Sequence, residues 1–273
     1  MIFLRVLVRA TVILAATGLG RAVTVENSWR ALVTSAVRAG MAKNLPGAEK
    51  LFLQAVQLTA QFPPGDPRTG TTYNSLGLVY KEEKKYGEAE KAFEKALDIL
   101  GKAYGADSLD SANVSFNIAS VMLADAHYDT ALIYIQRSQD IYKKILGPAS
   151  LKTASTLCME GEAYRNLKKF REAEEPLKQC ADMREASGGV ESPELADALY
   201  NLALVYENRG TYALEEPRLK MAEKIRELAF GVNSPQFAET LAAHAALLKL
   251  MGREAEAAQD EAMAAAIRRG KMQ

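Results

Sequence analysis

From Tyr73 the chain sets Tyr73, Leu76, Gly77 and Tyr80 at i, i+3, i+4 and i+7, which is one apolar stripe along an α-helix. A polar turn around Lys84 and Lys85 follows, and then Ala89, Phe93, Ala96 and Leu97 make the stripe of a second helix. The scheme returns every 42 residues. Gly77 is followed at that step by Ala119, Gly161, Ala203 and Ala245, all of them small. Three residues beyond each stand Tyr80, Met122, Tyr164, Tyr206 and Leu248, all large. Twelve beyond come Ala89, Ala131, Ala173, Glu215 and Ala257, and sixteen beyond come Phe93, Ile135, Leu177, Leu219 and Glu261. A step back of 41 gives Ala36, with Ala39, Ala48 and Phe52 keeping the pattern. Six copies of one two-helix unit thus run from about Trp29 to about Arg268, and fixed-period self-similarity of this kind marks a repeat architecture.

The alternation of small and large residues has a packing reason. Gly or Ala lets two helix axes approach closely where they cross, and a Tyr or Phe nearby fills the adjoining groove. Between units lie YGADSLDSA, LGPASLKTA, SGGVESPELA and FGVNSPQFA, each with Gly where a helix can end and Ser, Asp or Pro where the next can begin. A hairpin with one apolar face cannot cover it alone but can when stacked on its neighbours. The expectation is an all-α fold of repeat units at about 27–69, 70–111, 112–153, 154–195, 196–237 and 238–269, following a separate segment at 1–22.

The pattern resembles the tetratricopeptide repeat, whose Leu–Gly, Tyr, Ala and Phe positions are met at Leu76, Gly77, Tyr80, Ala89 and Phe93. The 42-residue spacing, with phrases such as LALVYENRGTY and LGPASLKTA, is similar to the kinesin-light-chain variety. The resemblance implies a right-handed α-solenoid whose first helices line a concave face, and a non-catalytic role in holding a peptide or protein segment there. Carried onto this chain, that face offers Asn74 and Lys81, then Phe116 and Asn117, then Arg165 and Asn166, and then Tyr200, Asn201 and Asn208. Asn can donate to and accept from a backbone amide, and Phe or Tyr adds apolar contact. For any one of these residues a solvated helix surface is the simpler account, so the expectation rests on their shared phase. Asn117 and Asn201 are expected to take backbone contacts and Phe116 and Tyr200 side-chain contacts. The alternative is an architectural subunit that self-associates through its convex face or through an open end near Trp29.

Departures from the pattern carry expectations of their own. Glu215 stands where a small residue belongs, so the fifth unit's second helix is expected to sit displaced there. Pro176 and Pro217 are expected near the starts of second helices, where a missing amide donor costs least; an earlier start would imply a kink. The polar stretch from Arg253 to Glu261 reads as the end cap of the array.

Composition excludes several classes. Lys plus Arg and Asp plus Glu both number 34, so the net charge is zero and the electrostatic footprint of a nucleic-acid binder is absent. The 48% hydrophobic and 25% charged residues argue against wholesale disorder. The opening MIFLRVLVRATVILAATGLGRAVT differs from the rest. Arg5 and Arg9 precede an uncharged run from Ala10 to Gly20, too short to span a bilayer but suited to a secretory signal cleaved after Ala22. Export to a periplasm or the medium is expected, with a mitochondrial transit peptide or an uncleaved membrane anchor as the competing reading.

No enzyme motif is found, and neither a cofactor nor a metal site is expected. His127 falls in a turn and His244 on an inner face, where a satisfied packing role is expected, and neither has a ligand partner at metal-binding spacing. Cys158 and Cys180 fall on the two helices of the fourth unit at matching heights. The repeat phase points Cys158 to the inner groove and Cys180 into the hairpin interface, so two free small hydrophobes are expected, with a bridge as the alternative in an oxidising compartment.

Overall fold

The computed structural model describes residues 24–187 and 192–270. The expected signal at 1–22 lies outside the described residues, as does most of the SGGV turn. Among the described residues there are twelve helices and no strand. They are α1 (24–41), α2 (Leu45–Thr59), α3 (Pro67–Glu82), α4 (Tyr86–Tyr104), α5 (Leu109–Ala124), α6 (Tyr128–Leu146), α7 (Leu151–Asn166), α8 (Phe170–Ala186), α9 (Pro193–Asn208), α10 (Tyr212–Phe230), α11 (Pro235–Leu250) and α12 (Glu254–Arg268). They form two compact units, one up to Val121 and one from Met122. In the first unit α2 packs on α3 and α3 on α4. In the second, each helix from α6 to α12 packs on the next, and α7 also touches α9.

The local chemistry repeats with the period. Asp66, Ser150, Ser192 and Ser234 each accept a hydrogen bond from a backbone N–H at the start of the following helix, and Ser108 does the same for Ser111. These N-caps satisfy donors that the first turn leaves without intrahelical partners. Within the hairpins the turn residue is left-handed each time: Lys43, Lys84, Ala126 and Lys168 at φ near 60°, then Gly210 and Gly252. The chain reverses there within three residues, which is why first and second helices pack antiparallel.

The crossing positions behave as their size demands. A Cβ on Gly77 would lie 2.7 Å from the Phe93 ring, and one on Gly161 would collide with Leu177 and stand 3.1 Å from the Ala173 carbonyl. Ala36, Ala48, Phe52, Leu76 and Val79 form one core cluster across α1, α2 and α3, so the first hairpin hides its apolar face against the next. Trp29 closes this end. Its indole N–H donates to Thr72 Oγ1 at 2.9 Å and its ring meets Phe62 edge-on at 5.7 Å.

Two expectations are corrected. Pro176 and Pro217 are not near the helix starts: they are the seventh residue of α8 and the sixth of α10. Both helices begin directly after the left-handed turn and continue through the proline, so each forgoes one backbone hydrogen bond and is held instead by its packing. Cys158 and Cys180 are not free; they form a disulfide with Cα atoms 5.4 Å apart. The antiparallel register explains the pairing. Gly161 meets Leu177 one turn along, and Arg184 Nη2 donates to Ser155 Oγ at 3.0 Å on the other side, so α7 and α8 face each other at that level.

The last hairpin puts most of the polar stretch from Arg253 to Glu261 at the surface. Ala257, Ala264 and Ile267 turn inward on α12, while Glu254, Glu256 and Glu261 are exposed and Lys249 pairs with Glu261 at 2.5 Å. No helix among the described residues is long and apolar enough to cross a membrane.

Candidate functional site

The candidate residues stay on first helices, and each unit carries its own set. In the first unit, Asn74 and Lys81 lie on α3, and Phe116 and Asn117 on α5, all half-buried. The Asn117 side-chain amide donates to Asn74 Oδ1 at 2.9 Å, across 43 residues of sequence. This bond fixes both amides in one orientation and leaves the Asn117 oxygen and the Asn74 NH2 to address a third group.

In the second unit Arg165 and Asn166 close α7, while Tyr200, Asn201 and Asn208 lie on α9. All are half-buried except Asn208, which is exposed. Asn208 donates to the Leu204 carbonyl of its own helix at 2.9 Å, so part of its hydrogen-bonding capacity is already used. The Arg165 Nε is buried without a hydrogen-bond partner. Tyr200 packs against the apolar cluster that holds Leu157, Cys180 and Leu199. Burial pushes its phenol above the usual range and Glu239 adds to the rise, while Arg226 and Arg165 oppose it.

Arg226 was not among the sequence candidates. It sits on α10, only 4% exposed, with its guanidinium 4.5 Å from the centre of the Tyr200 ring. It donates to Asp197 at 2.8 Å, Glu239 at 3.1 Å, Thr240 Oγ1 at 2.8 Å and the Gln236 carbonyl at 3.1 Å. One buried cation therefore ties α9, α10 and α11 together and backs the aromatic ring with a cation–π contact. A signal existed in the sequence: Arg184, Arg226 and Arg268 recur at steps of 42. Arg184 bonds Ser155 instead, and burial moves its guanidinium below the usual range while the charges of Glu194 and Asp197 oppose the shift.

The two histidines separate. His127 is exposed at the N-cap of α6, 3.1 Å from Asp125, as a turn residue should be. His244 is buried on α11 but is not the satisfied packing residue expected. Asp260 lies 2.9 Å from Nδ1, Glu223 3.8 Å from Nδ1 and Glu216 3.9 Å from Nε2, yet neither ring nitrogen is aligned for a hydrogen bond. The cause is the polar lining that α10 and α12 bring to this inner face. Lys220 and Arg253 hold the Glu216 carboxyl down to about 2, and burial pushes Glu223 up. Among the described residues no group of three or more His, Cys, Asp or Glu is placed to hold a metal ion.

The comparisons with known proteins agree with the fold. A family model described as tetratricopeptide repeat matches residues 37–102, 68–144 and 110–186, together more than half of the chain. A clustered mitochondria protein homolog of Aspergillus clavatus is 24% identical over 156 residues, 57% of this chain; the match spans only 12% of that protein. Among solved structures, BtubC (BKLC) from P. vanneervenii has a TM-score of 0.67 at 17% identity, covering 90% of this chain and 91% of that one. A Podospora anserina putative kinesin light chain with nearly identical TPR-like repeats has a TM-score of 0.61 at 18% identity, covering 74% of this chain and 96% of that one. At such identities the likeness is one of fold.

Proposed function

This chain belongs to the tetratricopeptide repeat family, and we propose that it is a non-catalytic scaffold whose first-helix faces hold an extended peptide or protein segment. The observation that carries this reading is the bracing of the candidate side chains from below. Asn117 is fixed by Asn74, and Tyr200 is backed by Arg226, which four further groups hold in place. A preformed face leaves mainly the ligand to be ordered on binding. The carboxamides address a ligand backbone and the aromatic rings its side chains. The single variants Asn117→Ala and Asn201→Ala test the face of each unit separately against peptides panned from a random library on the wild-type protein. A peptide held by the substituted face is expected to bind about two- to tenfold more weakly, one lost hydrogen bond being worth roughly 0.5–1.5 kcal/mol. Unchanged affinity for every panned peptide counts against these faces.

The architectural reading keeps one observation in its favour: Ile133 on α6 and Leu228 on α10 are 68% and 60% exposed. Light scattering across concentration separates the two, since a strict monomer removes self-association. Export is supported by the Cys158–Cys180 bridge, because disulfides persist in oxidising compartments. Mass measurement of the native protein tests it, a chain beginning after Ala22 being the expected product.

A further inference from the structure

Cys158 stands 42 residues after Phe116 and 42 before Tyr200, and Asn74 shares its phase. It therefore occupies, in the fourth hairpin, the position that the neighbouring copies give to the candidate contact residues. Its side chain is half-buried, whereas Cys180 on α8 is 0% exposed. Cys158 and Tyr200 pack against the same apolar cluster, which includes Leu157, Cys180 and Leu199. The bridge also reaches α8 four residues after Pro176, whose missing N–H leaves the Glu172 carbonyl without its helical donor. The one covalent tie among the described residues thus joins a contact-phase position on α7 to α8 about one turn beyond its proline.

We propose that Cys158–Cys180 is a thiol–disulfide exchange site that opens on the first-helix face of the second unit and is addressed there by a dithiol. The attacking thiolate reaches Cys158 Sγ, because Cys180 is enclosed. A mixed disulfide forms at Cys158, the Cys158–Cys180 bond breaks, and its electron pair leaves on Cys180, which takes up a proton. The second thiol of the reagent then displaces Cys158 as thiolate, closing the reagent's own disulfide. Two electrons pass from the dithiol to the protein. The freed Cys158 side chain is no longer drawn towards α8 and presents a thiol beside Tyr200, and α8 loses its tie to α7. The exchange chemistry stands by itself; its effect on binding rests on the reading of this face as a peptide site.

The full-length folded protein is incubated with dithiothreitol without denaturant, alkylated with iodoacetamide and mapped by mass spectrometry. Hydrogen exchange of α8 and α11 is followed before and after reduction. Cys158 is expected to label about tenfold or more faster than Cys180, as thiol reactivity follows access. Amides of α8 are expected to exchange faster after reduction, with α11 unchanged. Two single variants check the assignment: Cys180→Ala should leave Cys158 reactive without reductant, and Cys158→Ala should leave Cys180 protected. Labelling that needs denaturant, equal rates at the two cysteines, or unchanged α8 protection overturns the proposal. A failure of the peptide-binding reading looks different: panned peptides would then ignore Tyr200 and Asn201 in both redox states, while the labelling ratio would still decide the exchange site.

Discussion

Glu215 occupies a place that the five other copies give to alanine, at the crossing of α9 and α10, and it is 1% exposed with Oε2 lacking any hydrogen-bond partner. Burial, with a smaller contribution from the Glu207 charge, pushes its carboxyl from 4.5 up to about 8. The sign of the linkage follows. Between pH 4.5 and 8 the folded chain keeps a proton that the unfolded chain has released, so stability falls as pH rises through that window and levels off above it. At 1.36 kcal/mol per pKa unit the loss is about 3 kcal/mol at pH 7 and about 5 kcal/mol at pH 10, both ceilings because local relaxation lets water reach the charge. Glu215→Gln removes the titration while keeping the volume, and Glu215→Ala restores the repeat consensus. Urea unfolding followed by circular dichroism at pH 5, 7 and 9 reads the effect. Relative to wild type, Glu215→Gln should be close to neutral at pH 5 and more stable by at least about 1 kcal/mol at pH 9. A difference that stays constant from pH 5 to pH 9 would refute the burial argument.

Other outcomes follow from the repeat geometry. Ala126→Gly should stabilise the chain by about 1 kcal/mol, read as a higher urea midpoint, because Ala126 is exposed at φ 60° and a Cβ is disfavoured there. Gly161→Val should cost about 1–3 kcal/mol or more in the same assay, since its side chain has no room against Leu177 and the Ala173 carbonyl. Ser150→Ala should cost about 1 kcal/mol by removing the cap on Thr153 N–H. Arg226→Met should weaken panned-peptide binding by loosening Tyr200 without touching the ligand, measured by isothermal titration; Tyr200→Phe, which keeps the ring over the guanidinium, should bind nearly as wild type.

The period could be read from the sequence because each copy must solve the same packing problem. Gly77 and Gly161 are small for the reason their spacing suggests: Phe93 and Leu177, sixteen residues on, lie directly against them. The helix starts were equally open, since Ser, Asp and Pro at fixed steps are local chemistry. What stayed hidden depends on contacts between elements. The bridge needs α7 and α8 in one particular register, and phase alone pointed its two cysteines apart. The prolines were misplaced because a helix held by its neighbours can run through a missing donor, which no local rule reveals. Arg226 reads as an ordinary helix cation until α9 and α11 bring Asp197 and Glu239 to it. Of the candidate face, phase located the residues, whereas the bracing that gives Asn117 and Tyr200 their orientation became visible only in three dimensions.

The account turns on first-helix faces as the place where a ligand sits, and site-specific photo-crosslinking tests that most directly. A photoreactive phenylalanine analogue is placed at position 200 on α9 and, separately, at position 133 on the exposed side of α6, and each protein is irradiated with a panned peptide. Adducts at 200 that an excess of unlabelled peptide abolishes, with none at 133, are the predicted result. Competable adducts at 133 and none at 200 would contradict it.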